Sequence, residues 1–270
     1  MSTTPDELRD RTRAAWSAGN WDVLSMMLAP VGALVIERAG IEPGMHVLDV
    51  GTGTGTNAAI PAAKKGAKVV GLDLTPKLLE QAAEHAAEAG VEVAWIEGDA
   101  EDLPFEAELF DRVLSTFGAF IAPHHKVAAG ELVRVCRPGG RVLMTTWVDA
   151  GFSGAQFEHG ARFMPPPPPG VEGPLAWGDP AHIREVFLAA GATPTIERET
   201  VTVDVGTEDD IASAYLDNFG PYVMARPALE GQGRWDEFVE SFREIIHRFN
   251  AGDEQAARLT SDYYLITVER

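Results

Sequence analysis

Three aspartates and a set of alternating glycines carry the chemistry written into this chain. Asp49 lies in an apolar run, His46-Val47-Leu48-Asp49-Val50, that reads as a buried parallel strand. Gly51, Gly53 and Gly55 follow, and then Ala58, Ala59, Ile60, Ala62 and Ala63 suit a closely packed helix. Glycines let a small ligand lie against bare backbone, and the start of a helix supplies free N–H groups beside it. Asp73 closes a second apolar run, Ala67 to Leu72, 18 residues past Gly55. A carboxylate there can accept hydrogen bonds from both ribose hydroxyls of an adenosine. Asp99 follows a third strand, Val91 to Glu97, within Gly98-Asp99-Ala100-Glu101-Asp102-Leu103-Pro104-Phe105.

The glycine spacing separates two kinds of nucleotide site. A dinucleotide site has its third glycine three positions past the second, and that position is Thr56 here. A pyrophosphate would also be repelled by the extra acid, whereas an adenosine without phosphates would be favoured by it. A nicotinamide-dependent oxidoreductase is therefore disfavoured.

Together, Asp49-Val50-Gly51-Thr52-Gly53-Thr54-Gly55, then Asp73, then Gly98 to Phe105, resemble the class I S-adenosylmethionine-dependent methyltransferases, within them the bacterial ubiquinone/menaquinone-biosynthesis-like branch. The core resemblance spans about Gly44 to Trp147. It implies that Asp49 and Gly51 to Gly53 meet the methionine and ribose portions of S-adenosylmethionine. Asp73 would bind the ribose hydroxyls, Asp99 the adenine amino group, and the backbone of Ala100 a ring nitrogen. The implied cofactor set is Asp49, Gly51, Thr52, Gly53, Gly55, Asp73, Leu74, Asp99, Ala100 and Thr116, with S-adenosylhomocysteine as product. Methyltransferases acting on base nitrogens or glutamine amides often carry an Asn/Asp-Pro-Pro-Tyr-type loop after strand four. This chain has Ser115-Thr116-Phe117-Gly118, which argues against such substrates.

The expected reaction is methyl transfer to a small organic acceptor through an O, N, C or S nucleophile. His124 and His125 follow strand four by a short loop, on the side where the methyl group would be presented. An imidazole can take a proton from an acceptor hydroxyl as it attacks. The other reading is that the pair caps the helix starting near Lys126 or is solvated. A rival reading of the whole chain is a non-catalytic S-adenosylmethionine-binding regulator or scaffold. No metal-ligand cluster is evident.

The elements that must position these residues follow in order. Thr4-Pro5-Asp6-Glu7 predicts a helix start with Thr4 as N-cap, running to Ala18. A second helix, Trp21 to Ala39, is broken or kinked at Pro30. Trp16 and Trp21 are placed either to form a lid or to pack on the core. Thr75 and Pro76 open a helix that Gly90 stops; Phe110 to Thr116 is strand four. An amphipathic helix bearing Val127, Ala128, Leu132, Val135 and Cys136 ends at the turn Arg137-Pro138-Gly139-Gly140, and strand five runs to Trp147. Gly151 to Pro180 loses regularity and holds Pro165 to Pro169, read as a stiff surface loop. A helix from His182, strand six from Thr195 to Val205, an interrupted helical stretch from Glu208 to Gly252 and a last strand, Tyr263 to Val268, complete the chain.

The predicted fold is α/β: a doubly wound, seven-stranded Rossmann-like sheet, its last strand antiparallel as the resemblance implies, with helical and loop insertions forming a cap. One domain spans 1–270, its core at about 40–147, 181–205 and 262–270 and its cap from 1–39, 148–180 and 206–261. Trp147, Phe152, Trp177, Tyr215, Phe219 and Tyr222 are the candidate walls of an acceptor pocket.

Composition narrows the partners. The chain has 270 residues, with 41 acidic against 22 basic, a formal charge of −19 that repels nucleic acid. Cys136 is the only cysteine, so no internal disulfide forms. Met1 to Asn20 lacks an apolar signal-peptide core, and no apolar run is long enough to span a membrane. A cytoplasmic protein is expected.

Overall fold

Each parallel strand of this chain is apolar on both faces, and such strands need helices on both sides. The computed structural model describes residues 5–204, 206–253 and 255–270 and has that arrangement. Thr4 and Val205, expected as a helix cap and a strand end, lie outside the described residues. α1 (Pro5–Ser17), α2 (Trp21–Met27) and α3 (Ala29–Ala39) precede the sheet, with Pro30 in the first turn of α3, where its missing N–H costs nothing. Then follow β1 (His46–Val50), α4 (Ala59–Lys64), β2 (Lys68–Asp73), α5 (Pro76–Glu88), β3 (Ala94–Glu97) and β4 (Phe110–Thr116). α6 (His125–Val135) leads into β5 (Cys136–Trp147), α7 (Gly151–Phe163), α8 (Pro180–Ala189) and β6 (Pro194–Asp204). α9 (Glu208–Asn218), α10 (Gly220–Gly231) and α11 (Trp235–Phe249) separate β6 from β7 (Arg258–Glu269).

The strands order as β3-β2-β1-β4-β5-β7-β6. β1 to β5 pair in parallel, and β7 lies antiparallel between β5 and β6. Asp49 sits opposite Gly71 and Leu114, so the carboxyl ends of β1, β2 and β4 come level. The chain order reverses between β1 and β4, the place where ligands enter sheets of this kind.

One apolar cluster, with Leu132, Val186 and Phe187, packs α6 and α8 on one sheet face. Another, with Val31, Val35 and Ala59, packs α3 and α4 on the other. A third cluster joins α2, α7, α9, α10 and α11 beyond the carboxyl edge of the sheet. α11 shows why it docks there: Phe238, Phe242, Ile245 and Ile246 recur at helical spacing and are buried.

Three local expectations are corrected. Gly151 to Phe163 is a helix, not irregular chain. Cys136 begins β5 rather than lying in α6, and burial pushes its thiol up to about 11, which makes it an inert core residue. Val127 faces outward.

Candidate functional site

The turn after β1 is held from below. The N–H groups of Gly51 and Thr52 both donate to the Leu72 carbonyl, at 2.8 and 3.0 Å. Gly51 has φ +67, and a Cβ there would stand 2.6 Å from the Gly118 Cα, so two backbones cross at this point. Gly53 has φ +56 and open space where its Cβ would be. Both line one cavity, together with Asp49, Thr52, Asp73, Leu74, Asp99, Ala100 and Thr116. Gly55 is not among the lining residues. A Cβ on it would strike Trp95 at 2.6 Å, so its smallness serves packing against β3.

Each acid is fixed by the loop it faces. Asp73 accepts from the N–H groups of Gly53 at 2.8 Å and Thr75 at 2.9 Å, and its burial nevertheless raises its pKa. Asp49 accepts from the Thr52 hydroxyl at 2.6 Å and the Ala59 N–H at 3.1 Å. Burial, with a smaller push from Asp73, raises its pKa to about 7. Asp99 accepts from the Glu101 N–H at 2.9 Å and pairs with the Arg9 guanidinium at 2.9 Å. Thr116 ends β4, and its buried hydroxyl has no hydrogen-bond partner among the described residues.

Arg9 reveals a wall that the sequence did not single out. α1 crosses this edge, with Arg13 donating to the Leu74 carbonyl at 3.1 Å and pairing with Glu97 at 2.6 Å. Lys77 donates to the Ser17 carbonyl near the helix end at 3.0 Å. Trp16 and Trp21 line the cavity, their rings 4.7 Å apart and each edge-on to Phe219. An arginine every fourth residue along a helix was the available signal.

The far end of the cavity is apolar. Trp147, Tyr215 and Phe219 line it as expected, joined by Phe117, Phe120 and Phe157. Phe117 holds φ +53, an unusual backbone conformation for a bulky residue. Its ring stacks on Trp147 at 3.9 Å, and its N–H donates to the Thr145 hydroxyl at 2.9 Å. Phe152, Trp177 and Tyr222 are not walls. All are at most 1% exposed and pack inside the protein, and the Tyr222 hydroxyl is spent on the Gln156 carbonyl.

The two histidines part company. His124 lines the cavity; its Nδ1 lies 2.8 Å from Glu101 Oε2, and its own N–H donates to the other carboxylate oxygen. It stands at the N-cap of α6 without a side-chain capping bond. His125 is fully buried, outside the cavity wall, under the Trp177 ring at 4.7 Å. Burial, then neighbouring His182 and His124, push it down to about 3. It has no route to a substrate proton, so the expectation that either histidine could serve narrows to His124. His125, Glu172 and His182 bring potential ligand atoms within 4.8 Å of one another, a grouping hidden because the three lie on separate segments.

Residues 47–140 match the family described as "Methyltransferase domain". An uncharacterized protein of Mycobacterium tuberculosis is 38% identical over 215 residues, covering 79% of this chain and 78% of its own. The ubiquinone/menaquinone biosynthesis C-methyltransferase UbiE of Bordetella parapertussis is 37% identical over 114 residues, 42% of this chain and 44% of that protein. Among solved structures, the [4+2]-cyclase SpnF aligns with TM-score 0.60 at 21% identity, covering 89% of this chain and 80% of that one. Phosphoethanolamine N-methyltransferase 2 of Haemonchus contortus, in complex with phosphomonomethylethanolamine and S-adenosylhomocysteine, aligns with TM-score 0.56 at 20% identity, covering 88% of this chain and 52% of that one.

Proposed function

This chain belongs to the class I S-adenosylmethionine-dependent methyltransferases, and we propose that its acceptor is a small organic molecule held at the aromatic end of the cavity. The observation that carries the reading is the continuity of one cavity between two unlike ends. Asp49, Asp73 and Asp99 line one end, and Phe117, Trp147, Tyr215 and Phe219 the other. A hydrogen-bonding end joined to an apolar end suits a polar cofactor beside an uncharged organic ring or chain. The enclosure by α1 and the cap cluster fits a metabolite better than a polymer, and the charge of −19 opposes nucleic acid.

The residues present fit the cofactor. Open space at Gly53 admits a ligand against backbone, and the unpartnered Thr116 hydroxyl offers it a hydrogen bond. In this reading Asp73 receives the ribose hydroxyls through lone pairs that Gly53 and Thr75 leave free. Asp99 and the Ala100 backbone meet the adenine, and Asp49, Thr52 and Leu74 complete the cradle. Bound S-adenosylmethionine supplies a methyl group on a sulfonium, activated for transfer to a nucleophile. The protein's share is alignment and exclusion of water: α1 with the Trp16–Trp21 pair covers part of the cavity, and the Phe117–Trp147 stack fixes part of its apolar wall.

His124 is the group placed to take a proton from a hydroxyl acceptor. Glu101 holds its Nδ1, which orients the ring, while Nε2 makes no hydrogen bond among the described residues. Once a screen with methyl-labelled cofactor and product mass spectrometry has supplied an acceptor, His124→Ala should keep cofactor affinity and lose roughly 10²–10⁴ in turnover. Wild-type turnover in this variant would remove His124 as base and leave positioning alone, as suits an amine, thiolate or activated carbon acceptor.

A further inference from the structure

Outside the cavity, three side chains converge from three segments. His125 opens α6, Glu172 lies in the loop after the proline run, and His182 lies in the first turn of α8. His125 Nδ1 stands 2.9 Å from His182 Nε2. Glu172 turns one carboxylate oxygen to each: Oε2 lies 3.9 Å from His125 Nδ1 and Oε1 3.8 Å from His182 Nε2. We propose that His125, Glu172 and His182 form a binding site for one divalent transition-metal ion of the zinc type, which fastens the proline-bearing loop to α6 and α8.

Distance is the first argument. One potential ligand atom from each of the three residues lies within 4.8 Å of the other two, so small side-chain adjustments bring all three to the roughly 2.0–2.2 Å that zinc takes to imidazole nitrogen and carboxylate oxygen. Donor type is the second. Two imidazoles and one carboxylate suit zinc, cobalt or nickel, and do not make the all-oxygen shell that calcium or magnesium takes. Charge is the third. Among the described residues Glu172 makes no ion pair with lysine or arginine, and its carboxylate instead faces the two imidazoles. The nearby Lys126 ammonium is engaged by Glu185 at 2.6 Å. Access is the fourth: His125 is wholly buried, but His182 is 17% and Glu172 38% exposed, which gives an entry path and room for a water as fourth ligand.

The site's place gives it a purpose. The Glu172 N–H donates to the Pro123 carbonyl at 3.0 Å, and both Pro123 and His124 line the cavity. An ion here would stiffen the segment that carries His124, one residue behind the wall. The proposal does not depend on which acceptor is methylated, or on whether His124 takes a proton.

The test is calorimetric titration of the full chain, stripped with a chelator, with zinc chloride alone. Saturable binding of one ion per chain is expected, with a rise in melting temperature. Glu172→Gln and His182→Ala should each weaken binding by at least about tenfold, the lower end of what losing even an outer-shell partner of a ligand costs, while His247→Ala, at a distant exposed histidine, leaves it unchanged. Cobalt(II) in place of zinc should give visible absorption of a four-coordinate site, absent in His182→Ala. Both ligand substitutions sit at partly exposed positions, so the variants are compared after circular dichroism has shown native folding. Absence of one-to-one binding, or equal binding by wild type, Glu172→Gln and His182→Ala, overturns the proposal.

Discussion

Asp73 is the residue on which the proposed cofactor recognition turns. Its two oxygens are aimed by the Gly53 and Thr75 N–H groups, so the carboxylate is held still before any ligand arrives. Hydrogen bonds to a charged acceptor contribute about 1.5–3 kcal/mol each. Asp73→Ala should therefore weaken S-adenosylmethionine binding at least tenfold by calorimetry, and unchanged affinity would remove Asp73 from the site. At this scale the sequence was legible where a residue's role is fixed by chain-local geometry. Asp49, Gly51, Thr52, Gly53, Asp73, Leu74, Asp99, Ala100 and Thr116 all reach the cavity because they sit at or just beyond strand ends. The packing of Gly55 on Trp95 was not legible, because Trp95 arrives from β3, and the burial of His125 was not, because α6 rotates it away from the residue before it.

Among elements, α7 shows what sequence pattern conceals. Gly151, Gly154 and Gly160 make the segment read as loose chain, yet two of them permit close approach, Gly154 to the chain leading into the helix and Gly160 to α10. A Cβ at Gly154 would stand 1.7 Å from the Asp149 carbonyl oxygen, and one at Gly160 3.3 Å from the Tyr222 ring. α7 brings His159 into the cap cluster, where its Nε2 lies 3.1 Å from the Phe238 carbonyl and 2.9 Å from the Ser241 hydroxyl. Burial, with Arg162 nearby, lowers its pKa to about 4. Tyr222 faces its Nδ1 at 3.3 Å. The unfolded chain takes up a proton below about pH 6.5 that the folded chain refuses until about 4, so stability is present at neutral pH and lost as pH falls through that window. The share from His159 amounts to about 3 kcal/mol across it. Denaturant unfolding at pH 7 and pH 4.5 should show a smaller loss for His159→Phe than for wild type; equal losses would mean that His159 is not the group responsible.

The whole molecule joins a regular α/β sheet to a less regular cover. The seven strands and their direction were readable because parallel strands, glycine turns and helix caps write themselves locally, and the antiparallel β7 followed from the family resemblance. The cover was readable only as insertions, since its aromatics share one composition whether they face the cavity, as Tyr215 and Phe219 do, or the interior, as Phe152 and Tyr222 do. Among the described residues no helix is long and apolar enough to cross a membrane. In the proposed reading the cover, through its residues at the cavity, screens which molecules reach the methyl group.

That makes the destination of the methyl group the measurement that matters most. Extract is incubated with methyl-labelled S-adenosylmethionine and either the wild-type protein or Asp73→Ala, then separated into small molecules, protein and nucleic acid. Label in the small-molecule fraction, present with wild type and lost with Asp73→Ala, is the predicted result. Label confined to the protein or nucleic-acid fraction, or none in any fraction above the Asp73→Ala background, would contradict it.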